Sequence, residues 1–262
     1  MTTLIAIPAR YASTRYPGKP LVSLKGPDGE KTLIRRSWEA AMAVKGVDRV
    51  VVATDDDRIR THAEAFGAEV VMTSSDAQNG TERCAEVAAK LPGYDVVVNL
   101  QGDAPLTPAW FVEDLVRGLL ADPGADIATP VLRCDGRALN GFLADRRAGR
   151  VGGTTAVFGA GMRGLYFSKE VIPFTAKTYS DDAETPVFHH VGVYAYRPAA
   201  LAAYPAWHVG PLEKLEGLEQ LRFLENGRQV LCVEVQAQGR QFWELNNPSD
   251  VPVIEAMMAE MA

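Results

Sequence analysis

The sequence predicts an α/β protein with a doubly wound, mostly parallel sheet, and three observations predict it. Short apolar runs recur at 4–9, 50–53, 70–72 and 96–100 with little polar alternation, as strands buried on both faces require. Helical patterns at 32–44, 56–66 and 81–91 separate them, and strands joined through helices pair in parallel. Finally, 262 residues at 47% apolar and 23% charged are enough to bury a sizeable core, which argues against disorder.

The later elements follow in order. A helix over 108–120 leads to a strand near 127–132. From about Arg137 to Pro211 the pattern changes to short β-like pieces at 154–158, 164–168 and 191–196, separated by loops containing Gly, Pro and Asp. This stretch reads as an insertion carrying a smaller β-rich layer within a single domain of residues 1–262. The chain then returns to α/β, with a helix over 211–225, a turn at Asn226-Gly227, a strand over 230–235 and a final helix from about Pro248. Leu212, Leu215, Leu218 and Leu221 mark the expected buried stripe of the 211–225 helix, and Glu213 is expected on its solvated side.

Charge and cysteine content narrow the function classes. With 27 Lys+Arg against 33 Asp+Glu, the net charge of −6 provides no global basic field for nucleic acid. Cys84, Cys134 and Cys232 are odd in number and far apart, which suits isolated thiols in a reducing compartment rather than a disulfide framework or thiolate metal cage. No apolar stretch reaches membrane-span length, and the N-terminal one is too short for a signal peptide. A cytoplasmic protein without membrane or nucleic-acid partners is expected.

Five segments carry chemistry. The loop after the first strand, from Pro8 to Pro20, holds Arg10, Arg15 and Lys19 with the hydroxyls of Ser13 and Thr14, and in an open parallel sheet this loop lies at the ligand-binding edge. Arginine forks and a mobile lysine suit a polyphosphate, although neither a P-loop nor G-x-G-x-x-G is present. After the fourth run, Gln101-Gly102-Asp103 can present a carboxylate to a hard cation bridging phosphates. Asp55-Asp56-Asp57 reads as a helix cap at Asp55 or Asp56, with an acidic pair of the glycosyltransferase kind as the alternative. Gly80-Thr81-Glu82-Arg83 enters a helix that Thr81 could cap, its free N–H groups open to a base carbonyl or phosphate. Lastly, His189 and His190 point to opposite faces of one strand, so one of them can face a ligand, while Glu219 and Gln220 share a polar helix face.

Taken in order, these segments make the chain resemble the 3-deoxy-manno-octulosonate cytidylyltransferases. The resemblance rests on the stretch from Pro8 to Leu21, Ala53-Thr54-Asp55, Gly80-Thr81-Glu82-Arg83, Gln101-Gly102-Asp103, Leu165-Tyr166-Phe167-Ser168, His190-Val191-Gly192-Val193-Tyr194 and Leu218-Glu219-Gln220-Leu221-Arg222. It implies the fold of nucleotide-diphospho-sugar transferases, with the β insertion forming a homodimer. It also implies a reaction in which CTP and an acidic sugar give a CMP-sugar and pyrophosphate with Mg²⁺, for cell-surface polysaccharide or lipopolysaccharide synthesis. By matching position, Arg10, Ser13, Arg15 and Lys19 would hold the triphosphate, Arg10 and Lys19 joining Asp103 as the catalytic set. Gly80, Thr81, Arg83 and Gln101 would sit by the nucleotide, and His190, Glu219 and Gln220 would line the sugar-acid pocket. Asp103 and Asn246 would hold the metal.

The chain departs from the family pattern at several of these positions. Ala104 stands where a Glu is usual, Ala77 and Asn79 where a His and a Ser are usual, and His189 in place of a basic residue. Asn246 stands where the family has a second metal-binding Asp, which leaves an oxygen ligand without its charge. The substrate is therefore expected to be 3-deoxy-manno-octulosonate or a close relative. Two other functions compete: a catalytically weak paralogue that binds nucleotide or acid sugar, and a glycosyltransferase.

Overall fold

The computed structural model describes residues 1–13, 16–240 and 243–261. The chain divides into two compact units, one of residues 1–113, 195–205 and 237–262, the other of residues 114–194 and 206–236.

The first unit begins with β1 (Thr3–Pro8), β2 (Ser23–Gly26), β3 (Gly29–Thr32), α1 (Leu33–Met42), β4 (Arg49–Thr54), α2 (Asp57–Ala65), β5 (Glu69–Met72), α3 (Gly80–Lys90) and β6 (Val96–Leu100). Its sheet runs β5-β4-β1-β6, every pair parallel, with Ile5 opposite both Val50 and Val98. β1 and β6 are buried along almost their whole length, which explains why they read as unbroken apolar runs. All four predicted strands and three predicted helices form within a residue or two of the expected limits. The β2–β3 hairpin was not expected; it pairs Ser23 with Thr32 and buries Leu24. Asp56 caps α2 by accepting from the Arg58 N–H at 2.9 Å, as the Asp55-Asp56-Asp57 cluster suggested.

The chain continues through α4 (Ala109–Ala121), β7 (Ile127–Asp135), α5 (Gly136–Arg147), β8 (Thr154–Phe158), β9 (Gly164–Ser168), β10 (Glu184–His190), β11 (Val193–Tyr196), α6 (Pro198–Ala203), α7 (Pro211–Glu216), α8 (Leu221–Glu225), β12 (Val230–Glu234) and α9 (Val251–Glu260). In the second unit β12 lies parallel to β7, whose other edge takes β10 antiparallel; β8 and β9 extend it antiparallel. The 137–211 segment carries the strands β8 to β11 and also helix α5, capped by Asp135 through the Ala138 N–H at 2.7 Å, and its strand β10 bonds directly to β7. One expectation needs correction: 211–225 is not one helix. Gly217, at φ 62°, ends α7 in a left-handed turn, and α8 restarts at Leu221. Within α7, Leu215 is 82% exposed while Glu213 is buried, the reverse of the expected faces, whereas Leu221 at the start of α8 is buried as expected. Among the described residues, no helix is long and apolar enough to cross a membrane.

Candidate active site

In the first unit, the functional loop leaves β1 at Pro8. It is pinned where the Ala9 N–H donates to the Ala53 carbonyl, and the N–H groups of Ser13 and Gly18 both donate to the Tyr11 carbonyl at 2.9 Å. Gly18 adopts φ 70°, and a Cβ there would lie 3.1 Å from the Tyr11 ring, so this turn needs glycine. The Tyr11 ring also takes the Arg58 guanidinium, 3.3 Å from its centroid. Arg10 is exposed and makes no ion pair among the described residues, and Ser13 is half-buried. Arg15 lies outside the described residues.

The loop ends by placing Lys19 beside the turn that follows β6. Lys19 Nζ is 2.6 Å from Asp103 Oδ2, an ion pair between groups 84 residues apart. The Asp103 turn is held from several sides. A Cβ on Gly102 would stand 2.7 Å from the Pro8 carbonyl oxygen, so glycine lets β6 close against the end of β1. Ser37 donates to the Gly102 carbonyl at 3.0 Å, and the Leu245 N–H donates to the Asp103 carbonyl at 2.9 Å. This last bond places Leu245, the residue before Asn246, against the Asp103 backbone. Asp250, the acidic residue of the 245–250 segment, accepts the N–H groups of Asn246 and Asn247 at 2.8 and 2.7 Å, and so acts as a backbone clamp.

Gly80 opens α3 against the same strand ends: a Cβ there would meet Asn99 at 3.0 Å and Gln101 at 3.1 Å. The cap is Asn79, accepting from the Glu82 N–H at 2.9 Å, and not Thr81 as the sequence suggested. Asn and Ser are comparable caps, so Asn79 can cap where the resemblance leads one to expect Ser. Thr81 instead points inward, its hydroxyl 2.7 Å from that of Tyr196, and Arg83 is buried between Thr73 and Asp55, 3.2 Å from the latter. Gly80 and Gln101 therefore gather with Lys19 and Asp103 at the strand ends, whereas Thr81 and Arg83 brace α3 from within. The three aspartates after β4 are each paired with an arginine: Asp55 with Arg83, Asp56 with Arg58 and Asp57 with Arg60.

The second unit holds the other predicted residues. His190, at the end of β10, is buried; its ring meets Phe167 edge-on at 5.0 Å and lies 5.7 Å from Tyr194. Burial pushes its pKa down to about 3, aided by neighbouring His189, so the imidazole is neutral at physiological pH. Gln220 is buried in the break between α7 and α8, where its Oε1 accepts from the Tyr194 hydroxyl at 2.9 Å. Its Nε2 is buried without a hydrogen-bond partner among the described residues. Glu219 is half-buried beside it. A buried ion pair holds this break: Arg222 Nε and Nη2 each reach Glu213 at 2.7 Å. Glu216 accepts from Ser168 at 2.6 Å, Tyr166 at 3.2 Å and the Lys169 N–H at 2.9 Å, so the Leu165-Tyr166-Phe167-Ser168 motif anchors α7 and packs His190. Sequence reasoning missed both Tyr194 as the partner of Gln220 and Glu213–Arg222 as the clamp.

Comparisons with known proteins bear on the family and the fold. The cytidylyltransferase family model matches residues 4–230. A 3-deoxy-manno-octulosonate cytidylyltransferase from Maricaulis maris is 44% identical over 260 residues, covering 99% of this chain and 98% of the relative. Its counterpart from Chlamydia pneumoniae is 40% identical over 250 residues, covering 95% and 91%. Among solved structures, a CMP:2-keto-3-deoxy-manno-octonic acid synthetase complexed with CTP superposes with a TM-score of 0.84 at 33% identity, covering 100% of both chains.

Proposed function

The chain belongs to the cytidylyltransferase family, and from that premise we propose that it activates 3-deoxy-manno-octulosonate, or a close relative, with CTP. The observation that carries the reading is the Lys19–Asp103 pair at the C-terminal edge of the parallel strands, where the cation would meet phosphate and the anion a metal ion. In the proposed reaction the sugar hydroxyl oxygen bonds to the α-phosphorus of CTP, and the bond from that phosphorus to the bridging oxygen breaks. The hydroxyl proton is lost and pyrophosphate leaves. Phosphoryl transfer of this kind asks the protein mainly for positioning and charge stabilisation. Arg10, Ser13 and Lys19 would bind the triphosphate, with Gly80 and Gln101 beside the nucleotide. His190, Glu219 and Gln220 would bind the acid sugar.

The donor set fits Mg²⁺. Such an ion is commonly held by one or two carboxylates together with phosphate oxygens and water. Asp103, with a quarter of its side chain exposed, would supply one carboxylate, and Asn246, which follows Leu245 in the chain, would supply a neutral amide oxygen. Among the described residues no cluster of three acidic, His or Cys groups could hold a metal by itself, which supports an ion arriving with the triphosphate. When bound, the ion would neutralise charge on the phosphate oxygens.

The exposed Leu165, Phe174 and Leu215 of the second unit support a homodimer, which light scattering would test. Three buried thiols with no disulfide support a cytoplasmic setting. The deciding experiment measures pyrophosphate release from CTP with and without the acid sugar, and identifies the product by mass. Sugar-dependent release with a CMP-sugar product is expected. Binding without turnover would favour the weak paralogue, and consumption of a nucleotide-sugar the glycosyltransferase.

A further inference from the structure

Thr129 lies fully buried on β7, and three groups crowd its hydroxyl. Oγ1 is 2.8 Å from His190 Nε2, 2.9 Å from the Val193 carbonyl oxygen and 3.3 Å from that of Val191. A threonine hydroxyl has a single proton to donate, while a carbonyl can only accept. The Val193 oxygen must therefore take that proton. A lone pair of Oγ1 then faces the imidazole, which has to donate. The opposite arrangement would press the hydroxyl and carbonyl lone pairs together with no proton between them, in a place where water cannot relieve the cost.

We propose that Thr129 is a positioning residue that fixes His190 as the Nε2–H tautomer, so that its bare Nδ1 accepts a hydrogen bond from a hydroxyl of the acidic sugar. The inference rests on the reading that His190 lines the sugar pocket. A charged imidazole would donate from both nitrogens, but burial keeps this ring neutral. Thr129 is its one hydrogen-bond partner among the described residues, which leaves Nδ1 as the side that meets a ligand. An independent observation points the same way. The ring of Tyr194 adjoins His190, its hydroxyl holds the Gln220 carbonyl oxygen, and the Gln220 amide nitrogen is buried without a partner. The cluster thus offers one acceptor and one donor, the complement of a hydroxyl and a carboxylate on one hydroxy acid. In this arrangement the carboxylate belongs to the amide donor, and the histidine reads a hydroxyl.

The test joins spectroscopy to kinetics in the full-length protein. With ¹⁵N-labelled histidine, His190 is assigned among the four histidines by the signal that disappears in His190→Gln. At neutral pH, Nε2 is expected to resonate as a protonated nitrogen and Nδ1 as an unprotonated one, with Nδ1 shifting when 3-deoxy-manno-octulosonate is added. Thr129→Val should raise the KM for that sugar by roughly tenfold, the loss of about one hydrogen bond, and leave the KM for CTP unchanged. Thr129→Ser should restore it. A protonated Nδ1 in the wild type overturns the proposal without any variant. So does an unchanged sugar KM in Thr129→Val when His190→Gln raises it. If neither variant changes the sugar KM, the pocket reading itself fails, and the proposal falls with it.

Discussion

Lys19 and Asp103 are each only partly exposed and lie 2.6 Å apart, so removing either charge leaves the other unpaired. Lys19→Ala is expected to lower kcat/KM for CTP by roughly 10- to 150-fold, since a hydrogen bond to a charged group contributes about 1.5–3 kcal/mol. Steady-state kinetics beside a circular dichroism spectrum checks this; a folded variant with wild-type CTP use would remove Lys19 from the phosphate site. Asp103→Asn should be nearly inactive at ordinary Mg²⁺, because Asn246 brings no charge to compensate. Near-normal turnover at sub-millimolar Mg²⁺ would show that the anionic ligand is elsewhere. Asn246→Asp should shift the Mg²⁺ half-saturation point to lower concentration, as a carboxylate gains Coulomb energy from the ion that an amide lacks. Asp250 is a poor substitute, its Oδ2 already taken by two backbone N–H groups. An unchanged half-saturation point would mean that position 246 is not at the metal.

At the scale of elements, the break between α7 and α8 decides where Glu219 and Gln220 lie. Had 211–225 been one helix, both would project from a regular surface; the left-handed Gly217 instead turns the chain so that Gln220 is buried against Tyr194. The Glu213–Arg222 pair spans that turn with both groups nearly fully buried. Removing one member of such a pair strands the other's charge, at a cost of about 3–5 kcal/mol. Glu213→Gln is therefore expected to destabilise the protein by about that amount in chemical denaturation, and to raise the sugar KM more than the CTP KM at temperatures where it stays folded. Equal effects on both would mean that the clamp serves general stability only. The first unit shows the same economy of means: Gly102 carries no side chain because the Pro8 carbonyl occupies its place, which sets Asp103 at the strand edge.

For the whole molecule, the histidine pair couples stability to pH. His190 titrates near 6.5 in an unfolded chain and at about 3 when folded, because burial disfavours its charged form. Its folded pKa is depressed, so the stability present above pH 6.5 is lost as pH falls toward 3, where the unfolded state binds a proton that the folded state does not. Between pH 6.5 and pH 5 this amounts to about 2 kcal/mol. Urea denaturation across that range should show the loss in the wild type and a shallower one in His190→Gln; equal slopes would mean that His190 is protonated in the native protein. Much of the fold was legible in the sequence, because a strand buried on both faces must be apolar throughout and an amphipathic helix must repeat near 3.6 residues. The β1 loop, Gln101-Gly102-Asp103 and the Asp56 cap could be found the same way, since each is local. What only the tertiary structure decided are relations between distant residues: Lys19 with Asp103, Leu245 with Asp103, Arg83 with Asp55, and Thr129 with His190. A lone threonine in a strand carries no sign of which imidazole it will meet. Thr81 and Arg83 read as ligand groups because polarity is visible in sequence, whereas direction is set by the neighbours that packing brings.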